Sequence, residues 1–119
     1  MNRIAFIFTH GPYRDESGRE GLDLLLTTVS LSEEVGIFFI ADGVFLLLPH
    51  QQPSQILTRN FIVTFNILSF YDINGIYLCS KSAEERGLHN HTKWILNVKR
   101  LSPKRWYQKL TFYNTILTF

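Results

Sequence analysis

Residues 36–49 have the sequence GIFFIADGVFLLLP, in which two apolar runs are separated by Asp42 and Gly43. The first run shows no alternation with polar residues, a pattern typical of a strand that is buried on both faces of a parallel sheet. The Asp-Gly pair marks the carboxyl end of that strand. Ligands and reactive groups gather at this end of the strands in open α/β sheets, so the pair indicates a candidate site. For Asp42 alone, an ordinary strand-to-helix turn is the simpler interpretation.

Strand and helix patterns alternate on both sides of this stretch. Runs of strand-forming residues predict strands at 3–9, 35–41, 76–79, 94–98 and 114–119. Apolar spacing and capping signals predict helices at 19–31, 44–48, from 53 or 54 to about 71, 82–86 and 103–112. This alternation predicts an α/β fold with one mainly parallel five-stranded sheet and right-handed crossovers. The length of 119 residues fits a single domain, 1–119.

The composition predicts a protein of a reducing compartment without a membrane span. The longest apolar stretch, 35–48, is interrupted at Asp42 and is shorter than the roughly 20 residues that a membrane-spanning helix needs. The apolar run at the amino terminus is too short for a signal peptide. Cys79 is the single cysteine and permits no internal disulfide, which favours the cytoplasm. The abundance of Phe and Leu in so small a domain favours an oligomer.

Charge is distributed unevenly along the chain, although the net charge is only +2. Every acidic residue lies at or before Glu85, and the last quarter is basic through Lys93, Lys99, Arg100, Lys104, Arg105 and Lys109. Such an end is compatible with nucleic acid or with an acidic partner surface. A solvated helix face is the preferred interpretation, with Trp94, Trp106 and Tyr107 expected in the packing.

Cys79 is the candidate reactive residue. It is predicted to end the third strand just before a short helix at 82–86. Lys81 lies between the cysteine and that helix. A helix amino terminus and a nearby ammonium both favour the thiolate, which is the form that attacks sulfur or carbon. The competing interpretation is a small core residue, because free cysteines are among the most buried residue types.

The remaining chemistry-bearing residues form no recognisable catalytic or metal site. Four histidines are scattered over predicted loops: His10, His50, His89 and His91. None can be placed beside the thiol, and the last two lack further ligands at suitable spacing, so we predict an exposed loop and no metal. Neither the G-x-G-x-x-G fingerprint nor a P-loop occurs, so no cofactor is predicted. Thr9, His10 and the amides around Gly43 are candidates for lining a shallow pocket at the carboxyl edge of the sheet.

Several segments, taken together, resemble the DsrE/F-like family, and within it the TusC (DsrF-like) subunits of bacterial sulfur relay systems. They are RIAFIF at 3–8, GREGLDLLL at 18–26, VGIFFIADGVFLLLP at 35–49, YDI at 71–73, ERGL at 85–88 and YNTILTF at 113–119. The likeness covers nearly the full length of the chain. GREGLD together with FFIADGVFLLLP is its more specific part.

The resemblance implies a flavodoxin-like (DsrEFH-like) three-layer α/β subunit of a cytoplasmic TusBCD complex, a dimer of heterotrimers with TusB-like and TusD-like partners. In such a relay, persulfide sulfur passes from a TusA-like carrier to TusD, and through a TusE-like carrier to the enzyme that 2-thiolates wobble uridine in tRNA. TusD carries the principal active cysteine. A TusC-type subunit is then expected to be structural or auxiliary and not to contact tRNA directly. Cys79 falls where the active subunit keeps its cysteine, which leaves open an auxiliary persulfide site.

Two other functions remain as alternatives. In the first, the chain is a sulfurtransferase in which Cys79 itself carries the persulfide, activated by the helix terminus and Lys81. In the second, the domain binds a small molecule, a hypothesis that rests on fold analogy alone.

Overall fold

The computed structural model describes residues 2–11, 17–31, 34–48, 67–68, 70–71, 73–88, 94 and 97–119. Its strands and helices alternate along the chain. They are β1 (Arg3–Phe8), α1 (Ser17–Val29), β2 (Glu34–Phe39), a 3-10 helix (Ala41–Leu47), β3 (Gly75–Cys79), α2 (Ser80–Glu85), β4 (Lys99–Leu101), α3 (Pro103–Leu110) and β5 (Thr115–Thr118). No helix within the described ranges is long and apolar enough to cross a membrane.

The strands form one five-stranded sheet in the order β4-β3-β2-β1-β5, and every neighbouring pair is parallel. At its centre, β1 and β2 pair in register from Arg3 with Glu34 to Phe8 with Phe39. Both strands are buried over their last residues without alternation, as expected for strands that are covered on both faces. The predicted α/β fold with a five-stranded parallel sheet is confirmed.

Alternate residues of the strands point into two separate cores. The first core lies between the sheet and α1, the 3-10 helix and α2. Its members include Phe6, Phe8, Leu22, Leu25, Ile37, Phe39, Val44, Leu46, Leu78 and Ala83. The second core lies between the sheet and α3. Its members are Ala5, Ile7, Phe38, Tyr77, Cys79, Leu101, Trp106, Leu110 and Tyr113.

The two faces are covered unequally because of the strand order. Right-handed crossovers that step along the sheet in one direction all lie on one face, which here is the face of the first core. The return from β4 to β5, at the far side of β1, runs over the other face. Within the described residues, the 8-residue helix α3 is therefore the helix that covers the second core.

The fourth strand does not lie where the sequence predicts it, at 94–98: the described residues of that range, 94, 97 and 98, lie outside any strand, so the prediction is wrong there. The strand is Lys99–Leu101, and it pairs with Tyr77–Cys79 of β3. Trp94 and Val98 are instead partly buried against the first core, so the apolar pattern there reflects packing and not strand pairing. A charged sequence suits β4 because it is an edge strand.

The other predicted elements that fall on described residues match the structure, with ends that differ by a few residues. The predicted helix that opens at 53 or 54 lies outside the described residues, except at its end, where Leu68 of its apolar stripe is buried. The predicted turn of helix at 44–48 is part of the 3-10 helix. The short helix after Cys79 begins at Ser80, two residues before its predicted start.

Candidate functional site

Cys79 is the last residue of β3 and directly precedes α2. Its side chain belongs to the second core, and only 3% of the residue's surface is exposed. The thiol makes no capping hydrogen bond to the backbone of α2. Lys81, on the same short helix, is exposed. This local arrangement favours a small core residue over an activated thiolate.

The position of Cys79 in the sheet nevertheless fits a functional site. Cys79 is paired in register with Leu101 at the end of β4. After Cys79 the chain enters α2, which packs in the first core through Ala83, whereas after Leu101 it enters α3, which packs in the second core. Neighbouring strands whose connections leave to opposite faces form the crevice where open α/β sheets bind ligands. Cys79 therefore lies at this crevice, which is the topological switch point of the sheet. Its sulfur, however, is buried in the second core.

A polar cluster at the same carboxyl edge joins the 3-10 helix to α2. The Nε of Arg86 donates a hydrogen bond to Oδ1 of Asp42 at 2.8 Å, and its Nη1 donates to the carbonyl oxygen of Ser82 at 3.1 Å. The backbone amide of Ala41 donates to Oγ of Ser82 at 2.9 Å. Asp42 is a candidate from the sequence, whereas Ser82 and Arg86 are not, because their contacts join residues 41 and 44 positions apart. The ERGL segment was the signal available for Arg86.

The turn after β2 is held in a conformation that its own sequence does not favour. Ala41 has a φ of 54°, in the left-handed region that residues with a Cβ avoid. At Gly43, a Cβ would collide with the carbonyl oxygen of Phe8, so only glycine fits. A strained backbone conformation persists only when contacts from the surrounding structure hold it in place. Here the contacts from Ser82 and Arg86 of the α2 segment supply that constraint.

The shallow pocket predicted from Thr9, His10 and Gly43 is not supported at two of these residues. The backbone amide and Oγ1 of Thr9 both donate to the carbonyl oxygen of Phe119, at 2.7 and 2.9 Å. The amide of Gly43 donates to the carbonyl oxygen of Ile40 at 3.0 Å. These donors are therefore engaged within the chain and are not directed at a ligand.

A concave surface lies instead at the opposite edge of the sheet, where the strands begin. This amino-edge depression has a volume of about 410 Å³ and is lined by Asn74, Tyr77, Gln108, Lys109, Phe112 and Tyr113. Aromatic rings thus form much of its wall, and amide, hydroxyl and ammonium groups supply its polar contacts. Such a mixture of apolar lining with a few polar groups is typical of binding sites.

Two glycines of neighbouring strands make room for the tyrosines of the amino-edge depression. Gly36 of β2 and Gly75 of β3 are partners in register. A Cβ on Gly36 would collide with the hydroxyl of Tyr113, and a Cβ on Gly75 would collide with the hydroxyl of Tyr77. A glycine inside a strand often marks such a close approach, so this pair is the sequence signal for the depression, which was not among the predictions.

The electrostatics of the amino-edge depression keep Tyr113 neutral. Burial, and then the proximity of Tyr77 and Glu34, raise the pKa of Tyr113 to about 12, while a hydrogen bond with Asn74 acts in the opposite direction. The Nζ of Lys109 lies 5.8 Å from the centre of the Tyr77 ring.

No metal site is found in the part of the chain that the structure describes. No group of three or more His, Cys, Asp or Glu side chains there is arranged to hold a metal ion. His50, His89 and His91 lie outside the described residues. The exposed loop at 89–91 therefore stays a prediction.

The basic last quarter of the chain largely follows the expected pattern. Lys104, Arg105 and Lys109 are exposed on α3, and Trp106 is buried in the second core. The prediction that Tyr107 packs inside is wrong, since it is 56% exposed. Only one face of α3 contacts the sheet, and consecutive helix residues do not share a face.

Comparison with known proteins agrees with this architecture. The chain matches the model of the DsrE/DsrF-like family over residues 2–119. It is 48% identical over 119 residues to Protein TusC of Klebsiella pneumoniae (strain 342), with 100% of both chains covered. The crystal structure of the ychN protein from E. coli shares the fold, with a TM-score of 0.84, 22% identity and 100% of both chains covered. The resemblance to TusC (DsrF-like) subunits is thereby confirmed.

Proposed function

Because the chain belongs to the DsrE/DsrF-like family, which it matches over residues 2–119, we propose that it is a subunit of a cytoplasmic sulfur relay complex. In this role it assembles with TusB-like and TusD-like subunits as a dimer of heterotrimers. TusA-like and TusE-like carriers bring sulfur to the complex and remove it, for the 2-thiolation of wobble uridine in tRNA. The observation that carries the proposal is the 48% identity to Protein TusC across the whole of both chains.

The burial of Cys79 supports an auxiliary role within that complex. To accept sulfur, a thiolate attacks the outer sulfur of a carrier persulfide, a new S–S bond forms, and the carrier thiolate leaves with the electron pair of the broken bond. This attack needs a sulfur that a carrier protein can approach. Cys79 is 3% exposed and belongs to the apolar second core. In the proposed role, the TusD-like neighbour carries the persulfide, and this subunit holds that neighbour in place.

Cells that lack this chain provide the test of the proposal. We expect 2-thiouridine to disappear from their tRNA and to return when the wild-type chain or the Cys79→Ser variant is supplied. Native mass measurement of the chain co-expressed with TusB-like and TusD-like subunits should give two copies of each. A chain that stays monomeric in their presence contradicts the proposal.

The alternative, a sulfurtransferase in which Cys79 carries the persulfide, is favoured by one observation. Cys79 lies at the switch point of the sheet, opposite Leu101, where α/β folds place reactive groups. The same Cys79→Ser variant decides between the two roles. Loss of 2-thiouridine with an intact assembly would select the alternative, and retention would select the auxiliary role.

A further inference from the structure

The strand β5 forms one open edge of the sheet. It pairs with β1 on its inner side, and among the residues that the structure describes no strand pairs with its outer side. Three of its four residues are exposed, including Ile116 at 49%. An edge strand presents unpaired backbone N–H and C=O groups, which can pair with the strand of another chain. β5 is therefore a candidate surface for strand addition.

The hydrogen bonds to β1 show which backbone groups face outward. The amide of Phe119, directly after β5, donates to the carbonyl oxygen of Ile7 at 2.7 Å, and its carbonyl oxygen accepts from the amide of Thr9 at 2.7 Å. Along a parallel strand, alternate residues direct both backbone groups to the same neighbour. The residues two and four positions before Phe119 therefore also bond to β1. The amides and carbonyls of Ile116 and Thr118, which lie between them, face outward.

The two edges of the sheet differ in their protection against strand addition. The edge strand β4 carries Lys99 and Arg100, and charged side chains are one means by which natural proteins guard an edge. The sequence of β5 is TILT, which contains no charge and no proline. Its register with β1 is continuous, so no bulge interrupts it. Its β-branched residues also favour the extended conformation. β5 thus lacks the guards that β4 has.

Apolar side chains lie beside this edge on both faces of the sheet. Leu117 and Phe119 pack against the first core, so Ile116 lies on the opposite face. On the first-core face, a Cβ on Gly21 of α1 would collide with the ring of Phe119. Leu24, one turn later on the same side of α1, is 43% exposed. A strand added at this edge would therefore contact apolar groups on both of its faces.

The charges next to this edge favour a second copy of the chain as the occupant. Among the described residues, the charged side chains of β1 and α1 are two cations and two carboxylates: Arg3, Arg19, Glu20 and Asp23. Because neither sign is in excess, a copy related by a twofold axis meets no single-sign field. Nucleic acid or a strongly acidic protein would find no surplus of cations to bind here. A second β5 presents the same uncharged strand and the same outward backbone groups.

We propose that two copies of this chain pair through β5, antiparallel, about a twofold axis at Leu117, so that their sheets join into one continuous sheet. Ile116 then lies opposite the partner's Thr118, and each residue of the pair exchanges both of its backbone groups with the other. An axis at Ile116 or at Thr118 would leave the other outward residue opposite a position outside the strand. The inference does not depend on the proposed function, and a dimer of heterotrimers, which holds two copies of this chain, is compatible with it.

Sedimentation of the isolated full chain over a dilution series provides the first test, and we expect a dimer. Ile116→Lys places a charge in the pairing region, so it should raise the dissociation constant roughly tenfold or more, as edge lysines oppose strand pairing. Tyr107→Lys is the matched control, because Tyr107 is 56% exposed on α3, which packs on β3 and β4 at the other side of the sheet. It should leave the dissociation constant within about twofold, as expected for a surface substitution.

A second pair of variants tests the backbone hydrogen bonds. Thr118→Pro removes an amide that faces outward and leaves the bonds to β1 in place, so it should weaken the dimer without unfolding the chain. Thr118→Val keeps the amide and a similar shape, and should keep the dimer. Circular dichroism of the variants at Ile116, Thr118 and Tyr107 should match the wild type, because all three side chains are exposed.

A disulfide cross-link tests the position of the axis. Directly opposite residues of a non-hydrogen-bonded antiparallel pair have Cα atoms about 4.5 Å apart, a separation that a disulfide can bridge. In a Cys79→Ser background, oxidation of Leu117→Cys should therefore link two copies covalently. Thr115→Cys in the same background is the control and should not form the link, because Thr115 would lie opposite the partner's Phe119.

Two results would overturn the inference. One is a wild-type chain that sediments as a single copy at every concentration. The other is a dimer that persists unchanged in both Ile116→Lys and Thr118→Pro, since the two copies would then meet at another surface. Neither result bears on the proposed function, which is tested separately by assembly with TusB-like and TusD-like subunits.

Discussion

Gly36 and Gly75 lie opposite each other in β2 and β3, and the hydroxyls of Tyr113 and Tyr77 occupy the space where their side chains would be. The two tyrosines can approach the sheet only because both strand positions lack a Cβ. Their rings belong to the second core and also line the amino-edge depression. The glycine pair therefore sets both the packing of one face and the shape of the concave surface.

Substitution of Gly36 tests this arrangement. Gly36→Ala should lower the free energy of unfolding by about 1–3 kcal/mol, the usual cost of overpacking a filled core, because the new methyl group displaces the Tyr113 ring. Urea denaturation measures the change. Gly11→Ala is the control, since the nearest atom to its Cβ is 3.6 Å away and the contact is ordinary. Equal stability of the two variants would contradict the proposed role of Gly36.

The raised pKa of Tyr113 predicts a loss of stability at alkaline pH. Below the ordinary value of 10.0, the hydroxyl is protonated in both the folded and the unfolded chain, so its contribution is fully present. Between 10.0 and about 12, the unfolded chain releases this proton while the folded chain keeps it, so the free energy of unfolding falls as pH rises.

Tyr113→Phe provides the comparison, because it removes this ionisation. The variant should lose less stability than the wild type between pH 9 and pH 11, measured by urea denaturation at each pH. Parallel curves for the two proteins would show that Tyr113 ionises equally in the folded and unfolded states.

The sequence predicted the parts of the fold that depend on local pattern. The apolar run at 37–41 and the glycine and proline breaks identify the central strands and α3, because burial on both faces and capping leave local signatures. It failed at β4, where Trp94 gave an apolar signal but the sheet pairs with Lys99–Leu101. Which residues of an edge strand pair with the sheet depends on where the folded backbone passes, and the residue types of the segment alone do not determine that position.

The candidate site was predicted less completely, because it depends on contacts between distant segments. Cys79 was correctly placed at the end of a strand before a helix. Its burial follows from the packing of α3, which lies more than twenty residues further along the chain. The contacts of Arg86 and Tyr113 likewise join residues that are far apart in sequence and close only in the folded sheet.

Ala41 offers a substitution that should stabilise the protein. Ala41→Gly relieves a left-handed φ of 54° at the cost of greater freedom in the unfolded chain, so we expect a gain of up to about 1 kcal/mol in the free energy of unfolding. Ser82→Ala should act in the opposite direction by about 1 kcal/mol, because it leaves the amide of Ala41 without its acceptor. Thermal and urea unfolding of the two variants should show a higher free energy of unfolding for Ala41→Gly and a lower one for Ser82→Ala. A destabilised Ala41→Gly variant would show that this backbone is not strained.

The Asp42–Arg86 pair should contribute modestly. The side chains are 50% and 25% exposed, so water and salt weaken their attraction, and we expect a coupling energy of about 0.5–1 kcal/mol. A double-mutant cycle with Asp42→Asn and Arg86→Met measures this energy, and it should decrease in high salt. A coupling energy that is unchanged by salt would contradict an electrostatic origin.

The thiol of Cys79 can be followed without interference, since it is the single cysteine of the chain. With 3% of its surface exposed, it should react with a thiol reagent at least 100-fold more slowly in the native protein than in urea, an estimate for a group that reacts only on opening. Rapid labelling of the native protein would instead support the alternative in which Cys79 carries sulfur.

The coverage of the second core by α3 has a consequence for how Cys79 meets solvent. At 8 residues, α3 is shorter than the roughly 12–15 residues at which isolated helices become marginally stable, so packing through Trp106 and Leu110 holds it in place. When α3 detaches transiently, Phe38, Tyr77 and Cys79 lose their cover together. The time for which the Cys79 thiol stays buried at the switch point is then set by the local unfolding of α3. Amide hydrogen exchange in residues 103–110 and labelling of Cys79 should report the same opening event.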